Sequence, residues 1–249
     1  MKLFIPVICY NHTCHTSYMF SLMRLVMFLK DSNIGAELFP IVFDSLVNRA
    51  RNAAVAHFLS SDCTHLLFID SDIEFTTEDV FKLIQSKERV IGGAYAQKWL
   101  NLEKLKETFS KDPIPEKPMT LCTNHSIHFK LSVSEKNLDK VEVDYLTTGF
   151  MLIERSVFTE LIKHYPNRKY TNDVDGYMLA DKQMFYNFFC VEINEDTNRF
   201  ESEDYGFSRL WKNIGGHIYV IPDITLTHYG WFGYQCNLKD QLSNAIKSL

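Results

Sequence analysis

Two carboxylates one residue apart, Asp70 and Asp72, form the strongest chemical signal in the chain. They follow the apolar run Leu66 to Ile69, which is typical of a strand buried on both faces. Ligands of open α/β sheets bind at the carboxyl ends of strands, so a binding site is expected at this point. Carboxylate oxygens there suit Mg²⁺ or Mn²⁺ that carries a substrate diphosphate. The same D-x-D pattern is also typical of an acidic turn that caps the next helix.

A second acidic pair, Glu203 and Asp204, opens a helical pattern later in the chain, and His228 follows in a polar segment. Acidic residues in a first helical turn are also favoured by the helix dipole, and a lone histidine is usually not a metal ligand. Neither feature indicates a site by itself.

Basic and amide side chains precede and follow the D-x-D. Arg49 and Asn52 are three residues apart near the start of a helical pattern, hence on one face, and Arg51 is next to them. Arginines there can be charge-assisted phosphate ligands, or they can be surface residues paired with nearby acids. Lys98 follows a strand and a glycine step, and it could balance phosphate charge or simply be solvated.

The order of the remaining patterns predicts an α/β fold. Strand-like and helix-like segments alternate through the first part of the chain, and residues 119–133 and 140–145 show an alternation typical of antiparallel strands. Residues 226–231 are predicted to be a loop. The helical patterns cover residues 18–30, 46–59, 77–85, 156–164 and 201–213, of which the first is apolar all round and is expected to be well buried.

Composition excludes several classes of protein. The chain has 249 residues and a net charge of −5, with no dense basic stripe, so a nucleic-acid partner is not expected. No segment is long and apolar enough to predict a membrane span, and no secretory leader is recognised, so a cytoplasmic location is expected. The six cysteines are scattered and are expected to be reduced. Cys9, His12, Cys14 and His15 match no standard zinc spacing, which favours a polar substrate-side loop.

The chain is predicted to be one domain with two functional halves, residues 1–99 and 100–249. The segment Asn101 to Pro118 is polar and contains three prolines, so it is the best candidate for a mobile insertion or lid.

The ordered set of motifs resembles the GT-A class of nucleotide-sugar glycosyltransferases over nearly the whole chain. Within that class it is similar to compact soluble enzymes of large DNA viruses and bacteria. The set consists of the opening strand Ile5-Pro6-Val7, Ala50-Arg51-Asn52, Asp70-Ser71-Asp72, Gly92-Gly93-Ala94-Tyr95 with Lys98, Thr148-Gly149-Phe150, Glu203-Asp204 and His228. The D-x-D alone is loosely specific, whereas the D-x-D, acidic pair and late histidine together are more so.

The resemblance implies a GT-A fold, in which a Rossmann-like mixed sheet flanked by helices carries a smaller antiparallel portion on the acceptor side. It implies a nucleotide-sugar-binding half in residues 1–99 and an acceptor-binding half in 100–249. It also implies metal ligands and donor-binding residues. The metal, Mn²⁺ or Mg²⁺, would be held by Asp72 and His228, with Asp70 binding the ribose or the metal through water. The other donor-binding residues would be Pro6 and Tyr10 at the base, Ser71 within the D-x-D, Arg49, Asn52 and Lys98 on the phosphate and sugar side, and Gly149 near the sugar.

The implied reaction is transfer of a hexosyl or pentosyl group from a nucleotide sugar, with UDP as the favoured carrier, to a glycan or glycoprotein acceptor. An inverting enzyme needs a carboxylate base on the acceptor hydroxyl, for which Asp204 is the first choice and Glu203 the second. Retention of configuration, a sugar nucleotidyltransferase and a non-catalytic carbohydrate-binding protein on the same fold are the alternatives. The nucleotidyltransferase is disfavoured because no glycine-rich basic loop follows the first strand.

Overall fold

The computed structural model describes residues 1–125, 127–129, 139–177 and 180–247, without the side chains of residues 128, 129 and 245–247. The strands are β1 (Lys2–Ile8), β2 (Gly35–Ile41), β3 (His65–Ile69), β4 (Ile73–Glu74), β5 (Val90–Gly92), β6 (Ala96–Leu100), β7 (Thr123–His125), β8 (His128–Phe129), β9 (Val141–Tyr145), β10 (Phe150–Glu154), β11 (Glu192–Asn194), β12 (Arg199–Glu201), β13 (Tyr219–Val220), β14 (Thr225–Tyr229) and β15 (Gly233–Asn237).

The helices alternate with these strands. They are α1 (Thr16–Asp31), α2 (Val47–Ser60), α3 (Thr77–Ser86), α4 (Leu102–Phe109), α5 (Pro118–Leu121), α6 (Arg155–His164), α7 (Glu203–Asn213) and α8 (Leu238–Lys247). In the part of the chain that the structure describes, no helix is both long and apolar enough to cross a membrane.

The main sheet has the strand order β2-β1-β3-β10-β5-β13-β9-β8. β1 is parallel to β2 and β3, whereas β10 runs antiparallel to both β3 and β5. This confirms the predicted mixed α/β sheet. Because β10 lies between β3 and β5, both halves of the chain contribute strands to one sheet.

Side chains alternate between two core clusters, one on each face of this sheet. On β3, Leu66 and Phe68 belong to the first cluster, with residues of α2, α6 and α7, whereas Leu67 and Ile69 belong to the second, with residues of α1 and α3. All four are at most 3% exposed. The apolar run before the D-x-D is therefore a central strand buried on both faces, as predicted.

A separate three-stranded antiparallel sheet, in the order β15-β14-β4, lies at the end of β3. It pairs Thr227 with Glu74 and His228 with Ile73. The prediction of a loop at residues 226–231 is therefore wrong for most of that segment, since β14 extends to Tyr229. Its pairing partners are distant in sequence, and local composition carries no sign of them.

One other sequence-based prediction needs correction. Helix α1 is not buried all round, because Met19, Phe20, Met23 and Met27 are each at least 41% exposed along one side. The segment 101–118, predicted to be a mobile insertion or lid, contains helix α4 at Leu102–Phe109, which is capped by the Asn101 side chain.

Residues 119–133 were predicted as strands. The structure has the end of α5, then β7 and β8, in the part it describes, and residues 126 and 130–133 lie outside the described residues. The predicted antiparallel strand at 140–145 is confirmed as β9.

Candidate active site

The D-x-D lies in a tight turn between β3 and β4. Asp70 follows the last residue of β3, and the amide of Ile73 donates to its carbonyl at 3.0 Å. The amide of Asp70 donates to the carbonyl of Gly149, 2.9 Å away, at the start of β10. The carbonyl of Ser71 accepts from the amide of His15 at 2.8 Å, which ties the turn to the start of α1. The two carboxylates thus stand at the carboxyl end of a central strand, as predicted.

His228 reaches Asp72 because β14 pairs with β4. The histidine Nε2 lies 3.4 Å from Asp72 Oδ1, and its Nδ1 lies 2.8 Å from the carbonyl oxygen of Ala96. A carbonyl only accepts, so Nδ1 must carry the donated proton. Nε2 then donates to the Asp72 carboxylate when the ring is charged, and in the neutral ring it offers a lone pair that can bind a metal. A histidine that donates one ring N–H to a backbone carbonyl and presents the other nitrogen beside a carboxylate has the arrangement of a metal ligand.

Lys98 on β6 places its Nζ 2.5 Å from the other Asp72 oxygen, Oδ2. Burial raises the pKa of the Asp72 carboxyl, but the hydrogen bonds from His228 and Lys98 outweigh it and lower that pKa to about 2. Asp72 is therefore an anion across the physiological range, available to a cation or to a basic side chain.

Asp70 turns away from this pair. Its Oδ1 accepts from the Arg51 guanidinium at 3.0 Å, and Arg51 Nε also donates to Glu203 Oε1 at 3.2 Å. The guanidinium lies over the ring of Phe68, 5.3 Å from its centroid, and is almost fully buried. Although burial opposes the charge, the two carboxylates raise the pKa of Arg51, so the bridge is ionic.

Arg51 therefore connects the two acidic motifs, which are far apart in sequence. Among the residues the structure describes, Asp70 does not join Asp72 and His228 in a group of three metal-ligating atoms. Of the three side chains predicted to hold the metal, Asp72 and His228 lie next to each other, while Asp70 is paired with Arg51.

Asp204 lies in the first turn of α7 and is 8% exposed. Its Oδ1 accepts from the backbone amide of Tyr205 at 2.9 Å and from the hydroxyl of Ser202. Burial, and then the charge of neighbouring Glu203, raise the pKa of Asp204 to about 6, while Arg51 acts in the opposite direction. A carboxylate with this pKa is suited to accept a proton near neutral pH.

Gly149 allows the strand ends to approach one another closely. A Cβ atom at this position would lie 2.7 Å from Asp70 Oδ2 and 2.7 Å from the hydroxyl of Tyr95. Such contacts are closer than van der Waals distance, so only glycine fits without moving Asp70 or Tyr95.

The remaining predicted donor-binding residues differ in exposure and in the partners that they contact. Tyr10 is exposed just beyond β1, and Pro6 is buried within β1. Arg49 donates twice to Asp44, at 2.8 and 3.0 Å. The side-chain oxygen Oδ1 of Asn52 accepts hydrogen bonds from the backbone amides of Phe188 and Phe189, each at 2.9 Å.

The guanidinium that reaches the D-x-D thus belongs to Arg51 and not to Arg49. The sequence offers Arg51 as a possible phosphate ligand and as part of Ala50-Arg51-Asn52, but the predicted donor-binding set contains Arg49 and not Arg51. A usable signal was present, because Arg51 stands among the alanines of α2, in a segment buried on every side.

A second group of possible metal ligands lies elsewhere, formed by Glu37, Asp62 and Cys63. The ammonium of Lys2 is paired with both carboxylates of that group, at 3.3 Å from Glu37 and in closer contact with Asp62. Asp62 is largely exposed, and Lys2 already balances the charge there.

No family model and no curated protein matches this chain. Solved structures similar to it include A197 from STIV, with a TM-score of 0.47 and 17% identity over 92% of this chain and 86% of that chain. GalNAc-T7, solved with UDP, GalNAc and Mn²⁺, has a TM-score of 0.48 and 12% identity over 92% of this chain and 44% of that chain. Residues 1–349 of S. aureus TarS give a TM-score of 0.34 and 15% identity over 76% of this chain and 54% of that chain.

These three proteins are GT-A-like glycosyltransferases. With every TM-score below 0.5, what this chain does has to be argued from the site itself.

Proposed function

We propose that the chain is a metal-dependent glycosyltransferase that moves a sugar from a UDP-sugar to a glycan or glycoprotein acceptor, with inversion at the anomeric carbon. The observation that carries the proposal is the orientation of His228, which gives Nδ1 to the Ala96 carbonyl and turns Nε2 toward Asp72. A divalent cation between that nitrogen and the carboxylate would satisfy both groups.

The residues present fit such an ion. One carboxylate oxygen and one imidazole nitrogen leave most coordination positions open for water and for the oxygens of a donor diphosphate. A mixed nitrogen and oxygen donor set favours Mn²⁺ over Mg²⁺. The ion, when bound, would neutralise charge on the leaving diphosphate.

The protein side chains supply the rest of the reaction. Lys98, now paired with Asp72, would exchange that carboxylate for a donor phosphate oxygen. Asp204 would accept the proton of an acceptor hydroxyl as its oxygen bonds to the anomeric carbon and the bond from that carbon to the diphosphate breaks. Arg51 holds Glu203, the residue before Asp204, at a fixed distance from Asp70.

A carbohydrate-binding protein without catalysis would have no use for a buried carboxylate whose pKa is about 6. Burying an ionisable group in this way is unfavourable to folding and is typical of catalytic sites. The transferase is therefore favoured over a pure binder.

The first experiment is a thermal unfolding series with UDP, GDP and CDP, each with Mn²⁺, with Mg²⁺ and with EDTA. At a ligand concentration one hundred times the dissociation constant, specific binding should stabilise the protein by about 2.7 kcal/mol. We expect UDP with Mn²⁺ to do so, and the effect to disappear with EDTA and in Asp72→Ala.

The matched control is Asp62→Ala, which removes a carboxylate from the Lys2 group and should leave the UDP effect unchanged. If GDP or CDP stabilises the protein and UDP does not, the donor would be a GDP-sugar or a CDP-sugar, and the proposed mechanism would be unchanged. No metal-dependent response to any diphosphate would contradict the proposed function.

A further inference from the structure

The hairpin formed by β14 and β15 displays one side chain entirely to solvent. Tyr229 pairs with Gly233, and the amide of Gly230 donates to the carbonyl of Phe232 at 3.0 Å, so residues 230–232 form a tight turn. Trp231 at its tip is 105% exposed, and Phe232 is 50% exposed. Burial of its large apolar ring is the usual stabilising contribution of a tryptophan, and Trp231 makes no such contribution here.

The base of the same hairpin is firmly attached to the candidate active site. The amide of Tyr229 donates to the carbonyl of Asp72 at 2.8 Å, and its hydroxyl donates to Glu74 at 2.6 Å. The ring of His15 stacks on Tyr229, with centroids 3.8 Å apart and planes inclined by 12°. The exposed indole is therefore held on a rigid support and is not at the end of a loose loop.

The tip of the hairpin is also close to the proposed diphosphate position. A Cβ built on Gly230 would lie 3.3 Å from Cδ of Lys98, whose ammonium contacts Asp72. Trp231 follows Gly230 directly, so the indole stands at the rim of the site, one residue outward from the Lys98–Asp72 pair.

We propose that Trp231 is a platform on which a pyranose ring of the acceptor stacks. This inference rests on the proposed function, since it names the acceptor side of that site. A pyranose presents one face of C–H groups and an edge of hydroxyls. The flat indole would cover the first and leave the second free to react.

The occupant is the acceptor and not the donor, because of where the indole lies. A donor diphosphate held by Asp72 and Lys98 would lie at the base of the hairpin, where Tyr229 contacts Asp72 and Gly230 approaches Lys98. A ring that covers a side chain wholly outside the protein must belong to a molecule that extends into solvent, as a glycan does.

The test separates the donor side from the acceptor side of the reaction. UDP release from UDP-hexoses is measured without an acceptor, as hydrolysis, and with methyl hexopyranosides as acceptors. We expect Trp231→Ala to keep hydrolysis within twofold of wild type and to raise the acceptor KM at least tenfold, with Trp231→Phe recovering most of the loss.

Trp99→Ala is the matched control. Trp99 is 48% exposed on β6, and its indole N–H donates to Gln97, the residue two positions earlier on the same side of the strand. Lys98, between them, points to the opposite side, toward Asp72. Trp99→Ala should therefore behave as wild type.

A glycan array measures the platform without any transfer. We expect the full chain to bind at least one immobilised glycan, and Trp231→Ala to lose that binding tenfold while the UDP-dependent thermal stabilisation is retained. The inference would be overturned if Trp231→Ala lost hydrolysis and transfer equally, bound UDP more weakly or kept wild-type kinetics. It would also be overturned if the wild-type protein bound no glycan on the array. Glycan binding through Trp231 without any metal-dependent UDP effect would contradict the proposed function and leave the platform standing.

Discussion

Asp204 is an acid whose surroundings oppose its charge. It is buried and its neighbour Glu203 is also acidic, whereas the Arg51 guanidinium and hydrogen bonds from Ser202 and Tyr205 support the carboxylate form. The resulting pKa of about 6 places its proton-accepting form in the range where most enzymes work.

We expect Asp204→Asn to abolish transfer and keep donor binding, because the amide cannot accept a proton from the acceptor. The wild-type kcat/KM should fall as pH decreases through about 6, the pKa of Asp204. The measurements are UDP release over pH 4.5–8.5 and the UDP-dependent thermal shift of the variant. If the variant transferred sugar as fast as the wild type, the catalytic base would have to be another residue, and Glu203→Gln would be tested next.

Arg51 is the buried charge on which the geometry of both acidic motifs depends. We expect Arg51→Met to lower the free energy of unfolding by about 3 kcal/mol, because breaking a buried ion pair leaves the carboxylates of Asp70 and Glu203 without their partner. Urea unfolding measures this change.

Arg89→Met is the matched control for that experiment. Arg89 contacts Glu160 at 2.8 Å, but both side chains are more than a third exposed. Its removal should cost less than about 1 kcal/mol. Equal effects of the two substitutions would show that Arg51 contributes no more than a surface arginine.

At the scale of elements, the central strand was predictable and its partners were not. Leu66 to Ile69 followed by Asp70 is a local signal, because a doubly buried strand needs consecutive apolar residues. β14 carries no such run, since Thr227 and His228 interrupt it, and it is stabilised by pairing with β4 and β15. Non-local pairing of this kind overrides local composition.

The same limit applies to the basic residues of α2. Arg49, Arg51 and Asn52 lie within one helical turn, so spacing alone cannot tell which of them faces the D-x-D. In the structure, Arg49 is paired with Asp44, and Asn52 accepts hydrogen bonds from the backbone amides of Phe188 and Phe189. Only the tertiary packing of α2 against the sheet assigns Arg51 to Asp70.

The contact between β10 and the end of β3 is tight enough to be tested by one methyl group. We expect Gly149→Ala to weaken UDP and Mn²⁺ binding at least tenfold. Its Cβ would lie 2.7 Å from both Asp70 Oδ2 and the Tyr95 hydroxyl, so one of these side chains would have to move away. The atoms displaced are side-chain ends, so the fold should persist. Isothermal titration with circular dichroism measures both effects.

Gly230→Ala provides the comparison, since its Cβ would lie 3.3 Å from the flexible stem of Lys98 and at an ordinary contact distance, 3.6 Å, from the ring of Tyr234. Donor binding should be retained there. If both alanines bind UDP equally well, the close approach at Gly149 has no role in the site.

At the scale of the whole molecule, the mixed sheet and its flanking helices were predictable from the order of patterns, whereas the order of the strands within the sheet was not. The predicted halves 1–99 and 100–249 share one sheet, because β10 inserts between β3 and β5 and β13 extends it. A sequence lists its segments in order, but strand order in a sheet depends on which hydrophobic faces fit together. The roles of the two halves in binding donor and acceptor remain a prediction.

The site should cost the molecule stability in a pH-dependent way. The folded pKa of Asp204, about 6, exceeds its ordinary value of 3.8, so the folded state binds the proton more tightly than the unfolded state. Ionisation of Asp204 therefore destabilises the fold at pH 7, by about 2–3 kcal/mol for a shift of about two pKa units. This cost should disappear as pH falls from 6 toward 4.

We expect Asp204→Asn to be more stable than wild type at pH 7 by up to that amount, and the advantage to vanish near pH 4. Urea unfolding of both proteins at pH 4, 5, 6 and 7 measures it. An advantage that is constant with pH would mean that packing, and not ionisation, separates the two proteins.

The pairing of Ile73 with His228 joins two strands that are far apart in sequence and are therefore translated at different times. Loop closure over so long a separation is entropically slow, so contacts of this type form late in folding. A nascent chain could complete β1 to β3 and the helices around them well before the histidine that faces Asp72 has been translated. Under the proposed function, a metal held by Asp72 and His228 could bind only after both residues have been translated and β14 has paired with β4.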